Sequence, residues 1–316
     1  MKKDISIYDF SFEDIKKIEN VSLIHNEMEN GYVNITFYPF LPGIIVSLND
    51  VHTTEMPISD YLYDKDLMII NYCISGRCEF KVSENVYRYV KDNYTSIGSL
   101  IVSDRFYYPS NYYLGFEIYI YREMFTDETI STLKQFNIDV DVLGQKYNNK
   151  EKLSILETDI HIQRLWMELY NKNNPDKGLI QLNILKILHY LSNSKSIMPA
   201  NTSYLTRNQA MLAKEVQSIL TADISKHISM REISAKLNVS ETSLKNYFSA
   251  MFGVTVSEYM KSMRLKKSAE LLAKTGLPIS DIAISCGFSN QGRFAKVFKE
   301  YYGMLPLEYR HHCFLQ

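Results

Sequence analysis

Short apolar stretches, separated by turn-forming residues, run through the first half of the chain. Those between residues 33 and 121 are rich in β-branched and aromatic side chains. They include Val33–Phe37, Ile44–Leu48, Leu67–Cys73, Cys78–Val82, Val86–Val90 and Tyr113–Tyr121. Such spacing is typical of an antiparallel barrel or sandwich. Because a turn at Gly76 separates two of these stretches, we expect Cys73 and Cys78 to face each other across a hairpin.

The apolar positions change to helical spacing after residue 122. Thr126 precedes two acidic residues and is placed to cap a helix whose apolar positions are Ile130, Leu133 and Phe136. Further helices are predicted at residues 151–170 and 178–193. The last is apolar nearly all round, so we expect it to be buried, either inside its own domain or between two copies of the chain. A polar stretch then predicts a domain linker at residues 196–206.

The last hundred residues contain an internal repeat. Ile233, Val239 and Ser240 recur 49 residues later as Ile282, Phe288 and Ser289; Leu244, Phe248, Phe252, Gly253, Glu258 and Tyr259 recur 50 residues later as Phe294, Phe298, Tyr302, Gly303, Glu308 and Tyr309. Each copy predicts a short helix, at 230–237 and 279–286, then a tight turn and a serine that caps a second helix. This is the pattern of a helix-turn-helix unit.

Each unit has an apolar inner face and a polar outer face on its second helix. We expect Ala235 and Ala283 to allow close approach of the paired helices, and Val239 and Phe288 to fill the corner between them. Pairs of apolar residues four apart should anchor the second helix: Leu244 with Phe248, and Phe294 with Phe298. The outer faces offer donor-rich side chains suited to base edges and phosphates, although a solvated helix face is the alternative. They are Thr242, Lys245, Asn246 and Ser249 in the first unit and Gln291, Arg293 and Lys296 in the second.

The segment 255–273 joins the two units and contains no glycine or proline. It predicts a helix of about 28 Å. Its apolar residues change sides: Val256, Tyr259, Met260 and Met263 share one face, and Leu265, Ala269 and Leu272 share another. Such a helix packs on one unit with each half. It would hold two helices apart at the spacing of successive major grooves, about 34 Å.

Charge is distributed unevenly along the chain. Residues 207–316 hold 15 lysines and arginines against nine aspartates and glutamates, a net charge of +6, whereas residues 1–206 carry −7. The basic part is therefore expected to meet a polyanion.

Several classes of protein are disfavoured by the sequence. Apolar runs are too short to span a membrane and the first residues are polar, so we expect a cytoplasmic protein. The cysteines Cys73, Cys78, Cys286 and Cys313 lack CxxC spacing, and the seven histidines are scattered, so no metal site is predicted. No catalytic motif or cofactor site is evident, and no enzyme activity is expected. A DNA-repair alkyl acceptor would need a cysteine cluster near the start, yet the first 72 residues contain no cysteine.

The C-terminal region resembles the DNA-binding domain of the AraC/XylS family of bacterial regulators over about a hundred residues. The matching residues are Arg264-Leu265, Ala269, Leu271-Leu272, Ile279, Asp281-Ile282-Ala283, Gly287-Phe288, Phe294, Phe298-Lys299, Gly303, Pro306 and Tyr309-Arg310. Gln291-Gly292-Arg293 departs from the family pattern. Because Gly292 lowers helix propensity by about 1 kcal/mol relative to alanine, the start of this helix is expected to be less rigid. In the N-terminal half, Asn71-Tyr72-Cys73 with Gly76-Arg77-Cys78-Glu79 is similar to a segment of the branch that includes siderophore-responsive regulators.

The resemblance implies an α+β chain of two domains. Residues 1–195 would form an effector-binding domain, with a cupin-like β-barrel at about 30–122 and dimerisation helices at about 126–193, and residues 207–316 an all-α domain with two helix-turn-helix motifs joined by a long helix. The seven outer-face residues would contact bases. The implied function is transcription regulation, as an activator, with double-stranded DNA, a small-molecule effector, RNA polymerase and a second copy of the chain as partners and no membrane. The alternative is a ligand-independent regulator whose barrel serves only oligomerisation or partner binding.

Overall fold

The chain divides into two compact units, Met1–Arg207 and Asn208–Gln316. The computed structural model describes residues 14, 17–18, 20–57, 67–99, 105–147, 153–171, 176–194 and 204–314. The first unit is rich in sheet and the second is helical. This agrees with the predicted combination of an N-terminal sheet-rich part and a C-terminal helical part. None of the described helices is both long enough and apolar enough to cross a bilayer.

The strands of the first unit pair antiparallel throughout the described residues. They are β1 (Ser22–Met28), β2 (Gly31–Leu41), β3 (Ile44–His52), β4 (Glu55–Pro57), β5 (Leu67–Ser83), β6 (Val86–Lys91), β7 (Tyr94–Gly98), β8 (Arg105–Tyr107), β9 (Tyr113–Tyr121), β10 (Leu153–Glu157) and β11 (Tyr204–Thr206). The main path runs β1-β2-β3-β9-β5-β6-β11. Strands β7 and β10 continue from the first half of β5, and β8 joins β4 to β5.

Two apolar cores lie on opposite faces of the sheet. One is built from strand residues such as Ile35, Phe37 and Tyr121. The other packs the opposite face against four helices, α1 (Asp127–Gln135), α2 (Val140–Tyr147), α3 (Ile160–Asn171) and α4 (Lys177–Asn193). Trp166 of α3 stacks on Phe116 at 5.0 Å between ring centroids and on Tyr72 at 5.8 Å. Helix α4 contributes several fully buried residues to this core, so most of its apolar surface lies inside the unit.

Two sequence predictions for this unit are wrong. Leu67–Cys73 and Cys78–Val82 are not two arms of a hairpin but parts of one 17-residue strand, β5. Gly76 has φ of +90°, and a Cβ there would lie 2.2 Å from the Tyr112 carbonyl oxygen, so the strand bends rather than turns back. The helix predicted from residue 151 begins only at Ile160. Residues 153–157 form β10 because they pair with the edge of β7.

The second unit consists of helices, and those within the predicted repeat lie where it places them. They are α5 (Arg207–Thr221), α6 (Met230–Leu237), α7 (Glu241–Phe252), α8 (Val256–Lys274), α9 (Ile279–Ser285), α10 (Gln291–Tyr302) and α11 (Pro306–Phe314). Of the predicted linker at 196–206, residues 196–203 lie outside the described residues. Residues 204–206 form β11, which pairs with β6.

Candidate nucleic-acid interface

The first helix-turn-helix unit consists of α6 and α7. Ser229 and Glu232 form a reciprocal capping box at the start of α6. The hydrogen bonds that Ser229 donates hold the pKa of the Glu232 carboxyl below its ordinary value. Asn238 ends α6 in the left-handed conformation, with φ of +52°, and Ser240 caps α7 by accepting a hydrogen bond from the Ser243 backbone N–H at 3.1 Å. The predicted helix, tight turn and serine cap are confirmed here.

The second unit, α9 and α10, differs at its cap. Gly287 takes the left-handed position with φ of +78°. The cap of α10 is Asn290, whose Oδ1 accepts a hydrogen bond from the Arg293 backbone N–H at 2.8 Å. The prediction that Ser289 caps this helix is wrong, because the extra residue of the second copy lies before the cap and shifts it by one position.

We expect Asn290→Ala to lower the free energy of unfolding of this region by about 1 kcal/mol, since the Arg293 N–H loses its acceptor. Hydrogen exchange of the first-turn amides of α10 would measure the change. Ser289→Ala is the matched control and should leave those rates unchanged. Equal acceleration by both substitutions would contradict the assignment of the cap.

Aromatic side chains show that the two copies are built alike. In the first, Phe248 lies 4.3 Å from Phe252 and 5.3 Å from Tyr259 between ring centroids. The residues 50 positions later have nearly the same geometry: Phe298 lies 4.6 Å from Tyr302 and 5.4 Å from Tyr309. Leu244, Phe248, Phe294 and Phe298 have no exposed surface, which confirms them as inner-face anchors. The sequence repeat is therefore a repeat of packing.

The prediction for the small residues at the helix–helix contacts is wrong at one of its two positions. Ala283 is fully buried as predicted, but Ala235 is exposed. The position 49 residues before Ala283 is Ser234, whose hydroxyl donates a hydrogen bond to the Val239 carbonyl at 2.7 Å. The Ser234 hydroxyl, which is hydrogen-bonded to the backbone of the turn, therefore occupies the place predicted for the methyl group of an alanine.

Helix α8 joins the two units as predicted. Tyr259 in its first half packs on the Phe248 and Phe252 rings and accepts a hydrogen bond from Gln217 Nε2 at 2.7 Å. Its second half buries Leu265, Ala269 and Leu272 in the core of the second helix-turn-helix unit. A continuous 19-residue helix thus has one half in each core.

Arg264, at the centre of α8, helps to hold the two helix-turn-helix units together. Its Nε donates to the Ile224 carbonyl at 2.8 Å and its Nη2 to the Lys226 carbonyl at 2.9 Å. His227 Nε2, in the same loop, lies 3.1 Å from the Gly287 carbonyl oxygen. The loop before α6 is thereby held against the turn of the second unit. In the sequence, Arg264 is marked only by the family pattern and His227 by none, because the contact of His227 joins residues 60 positions apart.

The structure places the predicted site residues on the outer faces of α7 and α10. Six of the seven are exposed, and Ser249 is half-buried. A groove in this unit is lined by Lys245 and Ser249 of the first copy, Arg293 of the second copy, and Lys261 and Arg264 of α8. Lys245 Nζ also lies 3.0 Å from Glu241 Oε2. Such an exposed pair is weak, so the ammonium remains available to a phosphate.

Cys73 and Cys78 are free thiols buried in the N-terminal unit. Burial raises the pKa of the Cys73 and Cys78 thiols, so both are protonated at neutral pH. A protonated thiol is a poor nucleophile and a poor metal ligand. Among the residues that the structure describes, no three His, Cys, Asp or Glu side chains are grouped as metal ligands.

Comparison with known proteins agrees with this geometry. A family model described as a helix-turn-helix domain matches residues 233–312. The probable transcriptional regulator LumQ of Photobacterium leiognathi is 25% identical over 177 residues, which cover 54% of this chain and 65% of that protein. The C-terminal unit therefore contains a helix-turn-helix domain of a known family. The Msm operon regulatory protein of Streptococcus mutans is 32% identical over 96 residues, covering 30% of this chain and 34% of that protein. The matches thus cover less than two thirds of either relative.

Solved structures of AraC-type proteins are also similar to this chain. An AraC-type regulator from Chromobacterium violaceum is 26% identical, with a TM-score of 0.31, covering 34% of this chain and 95% of that one. ToxT from Vibrio cholerae is 15% identical, with a TM-score of 0.31, covering 85% and 98%. Gly292, which departs from the AraC pattern, lies in the first turn of α10, and a Cβ there would meet Asn290 Oδ1 at an ordinary 3.5 Å. Space therefore does not require a glycine at this position.

Proposed function

We propose that this chain is a sequence-specific DNA-binding transcription regulator. The observation that carries the proposal is the pair of equally built helix-turn-helix units, each presenting a polar, exposed helix face and both joined by α8. In such units the second helix enters the major groove and its outer side chains contact base edges. We assign base or phosphate contact to Thr242, Lys245, Asn246, Ser249, Gln291, Arg293 and Lys296.

Electrostatics supports the same assignment. The C-terminal residues from 207 onward carry a net charge of +6 in a chain whose total is −1. Lysines and arginines at the groove between α7 and α10 would displace the counterions of a duplex on binding. Binding should therefore weaken steeply with salt.

A fluorescence titration with the chain's own upstream DNA tests the proposal. We expect Arg293→Ala and Asn246→Ala each to weaken specific binding by about 1–3 kcal/mol, because each removes a side chain able to form a bidentate contact with a base. Affinity for unrelated duplexes should change much less.

Lys274→Ala is the control. It removes one positive charge at the end of α8, away from both outer faces, where Lys274 pairs with Glu270 at 3.2 Å. Equal affinity of the unaltered chain for upstream and unrelated DNA would overturn the proposed function.

For the N-terminal unit we propose a cupin-like barrel that binds a small-molecule effector. Binding of the effector would change how the DNA-binding unit engages a promoter. RNA polymerase would be the further partner at the promoter, and the outcome would be activation of transcription. The antiparallel pairing of the described strands and an apolar core between them support the barrel. A barrel that serves only oligomerisation or partner binding is the alternative. A ligand-dependent change in promoter affinity would distinguish the two.

We also propose that the helices of the N-terminal unit pair two copies of the chain. Phe136, Ile160 and Leu182 each leave more than two fifths of their surface exposed. Phe136 and Leu182 lie at one groove with Leu165 and Leu185. Because burying such a patch is favourable, we expect Leu182→Glu to convert a dimer into a monomer in sedimentation velocity, while Glu157→Gln leaves it paired. A chain that is monomeric before substitution would refute this.

A further inference from the structure

A row of polar residues crosses the face of the sheet that carries the strand-built core. Ser47 of β3 is paired in register with Glu117 of β9, Glu117 with Asn71 of β5, and Asn71 with Ser96 of β7. Residues directly opposite in adjacent strands point to the same face. The residues two positions along these strands, such as Ile45, Ile69 and Tyr119, belong to the apolar core on that face. The row is therefore a polar band within an apolar interior.

Glu117 is the centre of this band. Its carboxylate accepts hydrogen bonds from the Tyr119 hydroxyl and from the Asn49 side chain. Burial raises its pKa, and these two donors act in the opposite direction. Hydrogen bonds donated to a carboxyl group favour its ionised form, and here they offset part of the larger effect of burial. Both donors are neutral, and none of the described lysines and arginines forms an ion pair with it.

Asn71 lies beside Glu117 and has an unused donor. The residue has no exposed surface, and its Oδ1 accepts a hydrogen bond from the Tyr113 hydroxyl at 2.7 Å. Its Nδ2 has no hydrogen-bond partner among the residues that the structure describes. A buried amide N–H without an acceptor costs about 1–3 kcal/mol, so such a group indicates a missing partner.

Gly115 and Tyr113 shape the space around these groups. A Cβ on Gly115 would lie 2.3 Å from the Tyr113 hydroxyl oxygen, so only glycine lets that phenol lie across β9 and reach Asn71. Ser47, Asn71 and Tyr119 have at most 1% of their surface exposed. Glu117 between them is half-buried as a whole residue.

We propose that this band is a binding site for a small organic ammonium compound that carries a hydroxyl or carbonyl group next to its nitrogen. The ammonium would place a positive charge beside Glu117, which has no ion pair among the described residues, and would lie against the Tyr113 and Tyr119 rings, which attract cations. The neighbouring oxygen would accept the hydrogen bond of Asn71 Nδ2. This inference rests on the proposed effector role of the N-terminal unit and specifies the ligand class.

Thermal unfolding of the full chain with three probes of one carbon skeleton tests the site. The probes are 1-amino-2-butanol, 1,2-butanediol and 2-hydroxybutyrate, which are cationic, neutral and anionic. We expect only the amine to raise the Tm, because a ligand that binds the folded state and not the unfolded one stabilises the folded state. Glu117→Gln should weaken amine binding at least about tenfold, which corresponds to about 1.4 kcal/mol. Glu157→Gln makes the same change at an exposed position of β10 and should leave amine binding unaltered.

Three results would overturn the inference: no shift with the amine, an equal or larger shift with the diol or the hydroxy acid, or undiminished amine binding to a folded Glu117→Gln chain. If Glu117→Gln does not fold, the ranking of the three probes on the unaltered chain still decides. Affinity for upstream DNA, measured without any probe, tests the proposed regulator separately. Its persistence alongside failed amine binding would remove this site and leave the DNA-binding function standing.

Discussion

Gly287→Ala is expected to reduce specific DNA affinity at least about a hundredfold, the equivalent of losing two base contacts at roughly 1–3 kcal/mol each. Alanine is disfavoured by about 1–2 kcal/mol in the left-handed conformation that Gly287 adopts. Its Cβ would also lie 2.7 Å from the Ile224 carbonyl oxygen and 2.9 Å from that of Ser225. The turn of the second unit must then move away from the loop before α6, and α10 loses its fixed orientation relative to α7.

Gly303→Ala is the matched control for this prediction. Gly303 also has φ of +78°, but a Cβ there meets nothing within 4 Å. Alanine at position 303 therefore has the same conformational cost as alanine at position 287 but makes no steric contact. Parallel titrations of both variants on specific and unrelated DNA isolate the effect of the close approach. If the two variants lose equal affinity, the contact between loop and turn does not orient the units.

Phe298→Ala is expected to lower the free energy of unfolding of the second helix-turn-helix unit by about 3–5 kcal/mol, because a fully buried ring is replaced by a cavity. The ring contacts Phe294, Tyr302 and Tyr309, so its removal loosens α10 and α11 together. Hydrogen exchange of the full chain, followed by mass spectrometry, would report the loss as faster exchange in both helices.

The equivalent substitution in the first copy, Phe248→Ala, should have an effect of similar size on α7, since the two aromatic clusters have matching geometry. Ile284→Ala removes an apolar side chain that is 58% exposed and should change exchange by little. Loss of protection in α10 from Ile284→Ala as large as that from Phe298→Ala would contradict the assignment of the core.

Sequence patterns predicted the C-terminal unit closely because its elements depend on local interactions. Helix bounds, the left-handed turn at Asn238 and the anchors Leu244 and Phe248 all follow from spacing within about ten residues. Both errors concern a residue one position away from the true equivalent: Ala235 is 48 residues before Ala283, where the repeat is 49, and Ser289 is 49 residues after Ser240, where the repeat is already 50. Caps and contacts are sensitive to such a shift, whereas the helices themselves are not.

The N-terminal unit was predicted less well because its strands depend on partners distant in sequence. Residues 153–157 have no intrinsic feature that excludes a helix, yet the open edge of β7 pairs with them as a strand. Residues 67–83 contain a glycine that resembles a turn, yet pairing with β9, β7 and β6 extends them into one strand. The polar band of Ser47, Glu117, Asn71 and Ser96 was missed for the same reason, since each residue comes from a different strand.

The amino-acid sequence by itself determined the duplicated helix-turn-helix pattern, the polar outer faces and the concentration of positive charge, because helices, caps and charges are encoded by near neighbours. Tertiary structure alone decided how the two helix-turn-helix units are oriented, through Arg264 and the loop that meets Gly287. It also decided which polar residues share one face of the sheet. Both depend on contacts between residues 20 to 70 positions apart, whose pairing is selected by packing of the whole unit rather than by any local preference.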